Sequence, residues 1–139
     1  MKTTLIIGLT SLFALSACAT EVQMKAASVS KFDDGSELVM TGALFGRIDG
    51  SSRYTLSGGG LECNGTTAKQ RDGSALSNMV CTDEDGAQTA YDQTIPAEDY
   101  TMSFNGSSVT RFEGQGRSGT AAFGWGRKAN PEYLLTLLN

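Results

Sequence analysis

The chain contains no histidine, and this absence removes several classes of function. Catalytic triads with an imidazole base, zinc sites with imidazole ligands and histidine pH switches all require this side chain. Cysteine is also scarce, with three residues, so a closed zinc site of four cysteine or histidine ligands cannot be built from one chain. We therefore expect no resident metal or cofactor, and the sequence marks no catalytic residue.

Basic residues and long apolar runs are also in short supply. Eleven lysines and arginines face 15 acidic residues, which gives a net charge of −4. This balance argues against nucleic acid as a partner and against docking on anionic lipid through a basic face. The one sustained apolar run, Leu5–Leu15, has 11 residues, whereas a transmembrane helix needs about 20.

That apolar run lies in a segment with the layout of a secretory signal peptide: Lys2 precedes it and small residues follow it. Its end, Leu15-Ser16-Ala17-Cys18, resembles the lipobox of bacterial lipoproteins. In that family a diacylglyceryl group alkylates the cysteine thiol, and the signal is cleaved just before the cysteine. The resemblance implies that residues 1–17 are removed and that Cys18 carries the lipid that attaches the protein to a membrane.

A second interpretation of the same segment remains open. Ala17-Cys18-Ala19 also fits the A-x-A pattern of ordinary signal cleavage, which would remove Cys18 and release a soluble protein. On the lipoprotein interpretation, Ala19 stands where an aspartate tends to retain such proteins in the inner membrane. We therefore expect a lipid-anchored envelope protein on the periplasmic face of the outer membrane, with residues 18–21 as a short tether.

Processing before Cys18 would leave 122 residues and, with Lys2 removed, a net charge of −5. This length fits one ordinary domain, which we place at 22–139. The two remaining cysteines, Cys63 and Cys81, predict a disulfide because an even pair in an exported domain usually forms one. The alternative is a pair of buried free thiols.

Glycine is abundant, with 17 residues, and it separates short apolar or alternating runs. Such punctuation predicts a single all-β domain, either an antiparallel barrel or a sandwich. Asx-Gly pairs suggest hairpin turns of type I′, in which both central residues have positive φ. These pairs are Asp34-Gly35, Asp49-Gly50, Asn64-Gly65, Asp72-Gly73, Asp85-Gly86 and Asn105-Gly106.

Strands are predicted where apolar and polar residues alternate with a period of two. The predicted strands or strand faces are Val22–Lys31, Glu37–Arg47, Arg53–Ser57, Leu61 with Cys63, Met79 with Cys81, Tyr100–Phe104, Val109–Glu113 and Ala121–Trp125. Asn130-Pro131-Glu132 has the features of a helix start. A short C-terminal helix with Tyr133, Leu134, Leu137 and Leu138 on one face is favoured over a last strand.

Two motifs have plainer explanations than the sites they suggest. Gly114–Gly119 matches G-x-G-x-x-G, but no βαβ unit surrounds it, so a glycine-rich turn or bulge is expected. Asp83-Glu84-Asp85-Gly86 lacks the later ligands of an EF-hand. A solvated hairpin turn is the expected structure, and a calcium-binding turn of another kind is the alternative.

Phe123, Trp125 and Tyr133 are the candidate binding patch, since tryptophan and tyrosine are enriched in interface hot spots. Ordinary core packing is the default for such residues, and the binding patch is the sharper alternative. The predicted function is a non-catalytic envelope module that binds a protein, glycan or lipid partner. An inhibitor of a cell-wall hydrolase such as lysozyme and a hydrolase that uses paired carboxylates are the other two hypotheses.

Overall fold

The computed structural model describes residues 20–100, 103–114 and 116–139. Eight antiparallel strands form one sheet that closes almost completely into a barrel. The strands are β1 (Glu21–Phe32), β2 (Glu37–Arg47), β3 (Ser52–Gly58), β4 (Leu61–Lys69), β5 (Ala75–Thr82), β6 (Gln88–Ile95), β7 (Gly106–Gly114) and β8 (Arg117–Trp125). A 3₁₀ turn (Gly126–Lys128) and the helix α1 (Pro131–Thr136) follow β8. The predicted all-β domain is confirmed, and of the two architectures the barrel is the correct one.

The barrel is a meander in which each strand pairs with its neighbours in the chain, and β8 closes the circuit by pairing with β1. The seam lies between β6 and β7, where side chains make the contacts. Thr110 Oγ1 donates to Gln93 Oε1 at 2.8 Å, and the rings of Tyr91 and Phe112 meet edge to face at 6.1 Å. Every strand except the two at the seam therefore has backbone partners on both sides.

Alternation along the strands separates an apolar interior from a polar exterior, as the period-two patterns predict. On β1 and β2, Ser28 pairs with Met40 and Met24 with Leu44, and these side chains point inward. The buried core surrounds the barrel axis and contains Ala26, Met40, Leu44, Tyr54, Leu56, Cys63, Cys81 and Trp125. The interior thus forms because every second side chain of each strand points toward the barrel axis.

Four of the six Asx-Gly pairs lie in hairpin turns, but not in turns of the predicted type. At the first, Gly35 N donates to Phe32 O at 2.9 Å and Phe32 N to Ser36 O at 2.9 Å. Gly35 has φ 88°, while none of the described non-glycine residues has positive φ. The loop is therefore a type I turn completed by a left-handed glycine. The same Asp-Gly arrangement recurs at Gly50, Gly73 and Gly86.

One turn prediction fails, one predicted strand is absent from the described residues, and one strand was not predicted. Asn64-Gly65 lies inside β4 and is not a turn, and Tyr100 and residues 103–105 are outside any strand. Thr101 and Met102, which belong to the same predicted run, lie outside the described residues. The sixth strand is Gln88–Ile95, a largely polar segment for which the sequence carries no apolar alternation strong enough to predict it.

Helix α1 lies on the outside of the barrel, and its start is confirmed. The Asn130 side chain accepts from the backbone N–H groups of Glu132 and Tyr133, and Pro131 occupies the first turn. Its buried side chain, Leu134, packs on β1 and β8 against Ala27, Val29 and Ala122, with Leu135 and Leu138 beside it. The predicted face is therefore partly wrong, because Tyr133 and Leu137 are each 36% exposed.

Cys63 and Cys81 form the predicted disulfide. The two residues stand directly opposite each other on β4 and β5, and both side chains are buried inside the barrel. The bridge joins adjacent strands of one hairpin. Within the described part of the chain, no helix has the length and apolar character needed to cross a membrane.

Candidate binding cavity

The barrel interior is open at one end, which we call the mouth. At the mouth β1, β3, β5 and β7 begin, and β2, β4, β6 and β8 end. A cavity of about 400 Å³ opens there, and a second space of about 100 Å³ lies deeper in the barrel. Thr67, Ile95, Ser108 and Phe123 line both spaces, so the two are adjacent along the barrel axis.

The walls of the mouth cavity are mainly apolar. They include Val22, Met24, Leu44, Ile95, Phe123 and Trp125. The only described charged residues of the lining are Arg47 and Asp99, each at or beyond the end of a strand. Burial of an apolar group in such a cavity releases about 25 cal/mol per Å² of its surface. The cavity therefore suits an apolar chain better than a sugar or a charged metabolite.

Trp125 forms one wall, and its position depends on a glycine. A Cβ at position 106 would lie 2.1 Å from Trp125 Cζ2, so only glycine on β7 leaves room for the indole ring. The ring stacks at a tilt beside Phe123, with centroids 6.0 Å apart. Trp125 Nε1 donates to Ser103 O at 2.9 Å, which satisfies the polar atom of this ring. The indole is thus fixed at the mouth with its apolar surface along the cavity.

Deeper in the barrel, two of the polar side chains are hydrogen-bonded to each other. Tyr54 Oη and Ser77 Oγ share a buried hydrogen bond of 2.8 Å. Burial raises the pKa of Tyr54, so the phenol stays protonated at neutral pH. No fully buried side-chain nitrogen or oxygen in the described residues lacks a partner. The fully enclosed polar atoms of the described residues therefore do not require a polar ligand.

Aromatic rings narrow the opposite end of the barrel. Phe32 and Phe112 pack edge to face at 5.5 Å, and the Arg117 guanidinium lies 3.6 Å from the Phe32 ring centroid. Arg117 is also 3.6 Å from an Asp34 carboxylate oxygen. Because these side chains pack across this end, we expect a ligand to enter and leave through the mouth.

The rim of the mouth carries the two most exposed large apolar side chains of the described chain. Ile48, in the turn between β2 and β3, is 93% exposed, and Phe104, between β6 and β7, is 68% exposed. Beside them Glu21 binds Arg47 and Arg53, with nitrogen–oxygen distances of 3.1 and 3.0 Å. The hydrogen bond from Arg53 is the largest cause of the lowered pKa of Glu21.

The structure divides the predicted aromatic patch. Phe123 and Trp125 lie together on the cavity wall, where they act both as core and as lining. Tyr133 is on α1, outside the barrel, and does not join them. Cys18, the predicted lipid site, lies outside the described residues. Ile48 and Phe104 were not predicted as site residues, and only their large apolar side chains beside turn-forming residues could have suggested an exposed rim.

Most of the acidic residues in the described part of the chain lie in the connections between strands. Asp83-Glu84-Asp85-Gly86 forms the exposed turn between β5 and β6, where Asp83 Oδ1 accepts from the backbone N–H groups of Asp85 and Ala87. No cluster of three potential metal-ligating side chains occurs in the described residues. Each carboxyl with a displaced pKa has it lowered by hydrogen bonds, whereas a general acid would need a raised one.

Comparison of the chain with protein-family models, with curated proteins and with solved structures finds no match. The cavity must therefore be interpreted from its own geometry.

Proposed function

We propose that this protein is a lipid-anchored binding module of the cell envelope whose barrel holds a single apolar chain. The observation that carries the proposal is the mouth cavity of about 400 Å³, which is apolar along its walls and bounded by few charges. Ligand sites commonly have volumes of about 300–1,000 Å³ and are mainly apolar. An eight-stranded barrel has an interior just wide enough for one small ligand.

The ligand that fits best is an amphiphile with one acyl chain, such as a fatty acid. Its chain would lie along Phe123 and Trp125, and its head group would stay at the mouth near Arg47 and Asp99. The chain contains a single tryptophan, so the emission of Trp125 reports directly on the cavity.

The ligand hypothesis can be tested with a fatty acid brominated in the middle of its chain. Bromine quenches tryptophan at short range, so we expect saturable quenching of Trp125. Ser108→Leu should weaken binding by about tenfold or more, because Ser108 lines both spaces and a leucine there would fill part of the room for the ligand.

Ser107→Leu is the matched control, since Ser107 precedes Ser108 on β7 and points out of the barrel. Both variants should keep the far-UV spectrum and the disulfide of the parent protein. Weakening of the same size in both variants, or no quenching of the parent protein, would show that the cavity does not bind the chain.

Anchoring is a separate part of the proposal and rests on the lipobox resemblance. Cys18→Ala should abolish labelling by a fatty-acid probe in the producing bacterium and prevent normal processing. A wild-type protein that takes up no label and fractionates as soluble would show that cleavage follows the ordinary signal-peptide pattern.

The two other functional hypotheses receive less support. A carboxylate hydrolase needs two acids facing one site, and Asp99 is the only acid among the described lining residues of the mouth cavity. An inhibitor needs a rigid projecting loop, and the best candidate is the tight turn that carries Ile48. The size and apolar lining of the cavity have no role in that mechanism, so we prefer the binding module.

A further inference from the structure

The mouth and the predicted lipid anchor lie at the same end of the barrel. Strand β1 begins there at Glu21, and both Thr20 and Val22 line the mouth cavity. Cys18 is two residues before Thr20, and two residues of extended chain span at most about 7 Å. A bilayer that holds a lipid on Cys18 therefore cannot be far from the mouth.

The most exposed apolar side chains are also at this end. Ile48 is 93% exposed and Phe104 is 68% exposed, and both border the opening of the cavity. Large apolar side chains that are exposed to water gain free energy when another surface buries them. Apolar side chains at a bilayer surface bury about 5–10 Å into the boundary between head groups and acyl chains.

Charge is distributed unequally between the two ends. The connections at the mouth, with their flanking strand residues, carry as many bases as acids: Arg47, Lys69, Arg71, Arg127 and Lys128 against Glu21, Asp49, Asp72, Glu98 and Asp99. The connections at the opposite end carry six acids and one base: Asp33, Asp34, Glu37, Asp83, Glu84 and Asp85 against Arg117. The net negative charge of the protein would be repelled by an anionic membrane. If the mouth faces the membrane, the acidic end is the one farther from it, and the repulsion is smaller.

We propose that the mouth of the barrel rests on the bilayer, with Ile48 and Phe104 inserted at the head-group boundary. The cavity then exchanges a single acyl chain directly with the membrane, without passage of the chain through water. This inference rests on the proposed anchoring and deepens the proposed binding function, because it names the bilayer as the source of the ligand.

The orientation can be tested with the lipidated mature protein inserted into vesicles. Trp125→Phe removes the native fluorophore, and Ile48→Trp or Phe104→Trp then places a single probe at the rim. Ala87→Trp, in the exposed turn at the opposite end, is the matched control. The vesicles contain phosphatidylglycerol and a phosphatidylcholine brominated near the start of its acyl chains.

We expect the brominated lipid to quench most of the emission of the probe at position 48 or 104 and to shift the remaining emission to shorter wavelengths. The probe at position 87 should keep the emission that it has in vesicles without bromine. Far-UV spectra and alkylation of free thiols establish that each variant is folded with its disulfide intact.

Two results would overturn the orientation. If neither rim probe is quenched, the rim faces water or a protein partner rather than the bilayer. If the probe at position 87 is quenched as strongly as those at the rim, the barrel has no preferred end toward the membrane.

The failure of this inference can be distinguished from failure of the proposed function. A brominated fatty acid that quenches Trp125 in the parent protein, together with unquenched rim probes, would leave the cavity function intact and overturn the docking alone. Loss of both signals would overturn both.

Discussion

The ring of Tyr54 lies directly over the backbone of Gly65, its cross-strand partner on β4. A Cβ at position 65 would lie 2.1 Å from Tyr54 Cζ and 2.4 Å from its hydroxyl oxygen. Gly65 therefore serves as a flat platform for an aromatic ring inside the barrel. The same relationship holds for Gly106 under Trp125 at the mouth.

Gly65→Ala should destabilise the barrel by about 1–3 kcal/mol, because the added methyl group must displace a buried ring. Gly46→Ala is the matched control: it is also in a strand, and its Cβ would meet the flexible Met24 methyl group at 3.3 Å and Leu44 Cδ2 at an ordinary contact distance of 3.8 Å. Urea unfolding measures both variants. In a double-mutant cycle, Tyr54→Leu should reduce the cost of Gly65→Ala; equal costs in both backgrounds would show that the ring is not the cause.

Loss of the Cys63–Cys81 disulfide should lower the free energy of unfolding by about 3 kcal/mol. The bridge joins residues with a sequence separation of 18, and closing a loop of that length restricts the unfolded chain. The melting temperature should fall by roughly ten degrees for a domain of this length. Thermal unfolding of Cys63→Ala plus Cys81→Ala, and of the parent protein under reductant, measures the effect. Alkylation of both thiols in the unfolded, unreduced protein would contradict the bridge.

Leu134→Ala should cost about 2–5 kcal/mol, since this side chain is fully buried between α1 and the outer face of β1 and β8. Leu137 caps the C-terminal end of the same helix and is 36% exposed, so Leu137→Ala should cost less than about 1 kcal/mol. Thermal or urea unfolding distinguishes the two. Similar losses would mean that α1 buries the face predicted from the sequence and not the face in the structure.

Acid should destabilise the protein through the aspartates of its turns. Hydrogen bonds from Ser36, Ser51 and Ser74 hold the pKa values of Asp34, Asp49 and Asp72 below the ordinary value of 3.8. A group with a lowered pKa in the folded state stabilises above its unfolded pKa, and this contribution is lost as the pH falls through the lowered value. Stability should therefore fall as the pH drops from about 5 to 3 and below.

The contribution of these turns can be isolated with the triple variant D34N, D49N and D72N. The amide oxygens can still accept from the serine N–H groups, but they do not titrate. The difference in urea midpoint between the parent protein and the variant should narrow as the pH falls from 5 to 3. A difference that stays constant over this range would show that the carboxylates are not responsible.

Local pattern alone predicted the class of fold, most strands, the helix cap and the disulfide. Strand β2 was predicted with both of its ends correct, and Asn130 caps α1 as expected. These features depend on alternation, glycine and capping chemistry within a few residues, which a sequence displays directly. The resemblance of Leu15-Ser16-Ala17-Cys18 to a lipobox also depends on a few neighbouring residues, and it stays a prediction.

The mouth cavity could not be predicted in that way, because its wall is assembled from seven of the eight strands. Whether Gly65 forms a turn or supports a ring depends on Tyr54, which reaches it only when β3 and β4 pair. Phe123 and Trp125 line the cavity, whereas Tyr133 of the same predicted patch lies on α1, outside the barrel. The sequence determined which residues are apolar and where the chain turns; closure of the barrel decided which of them share a space, because that depends on contacts between residues far apart in the chain.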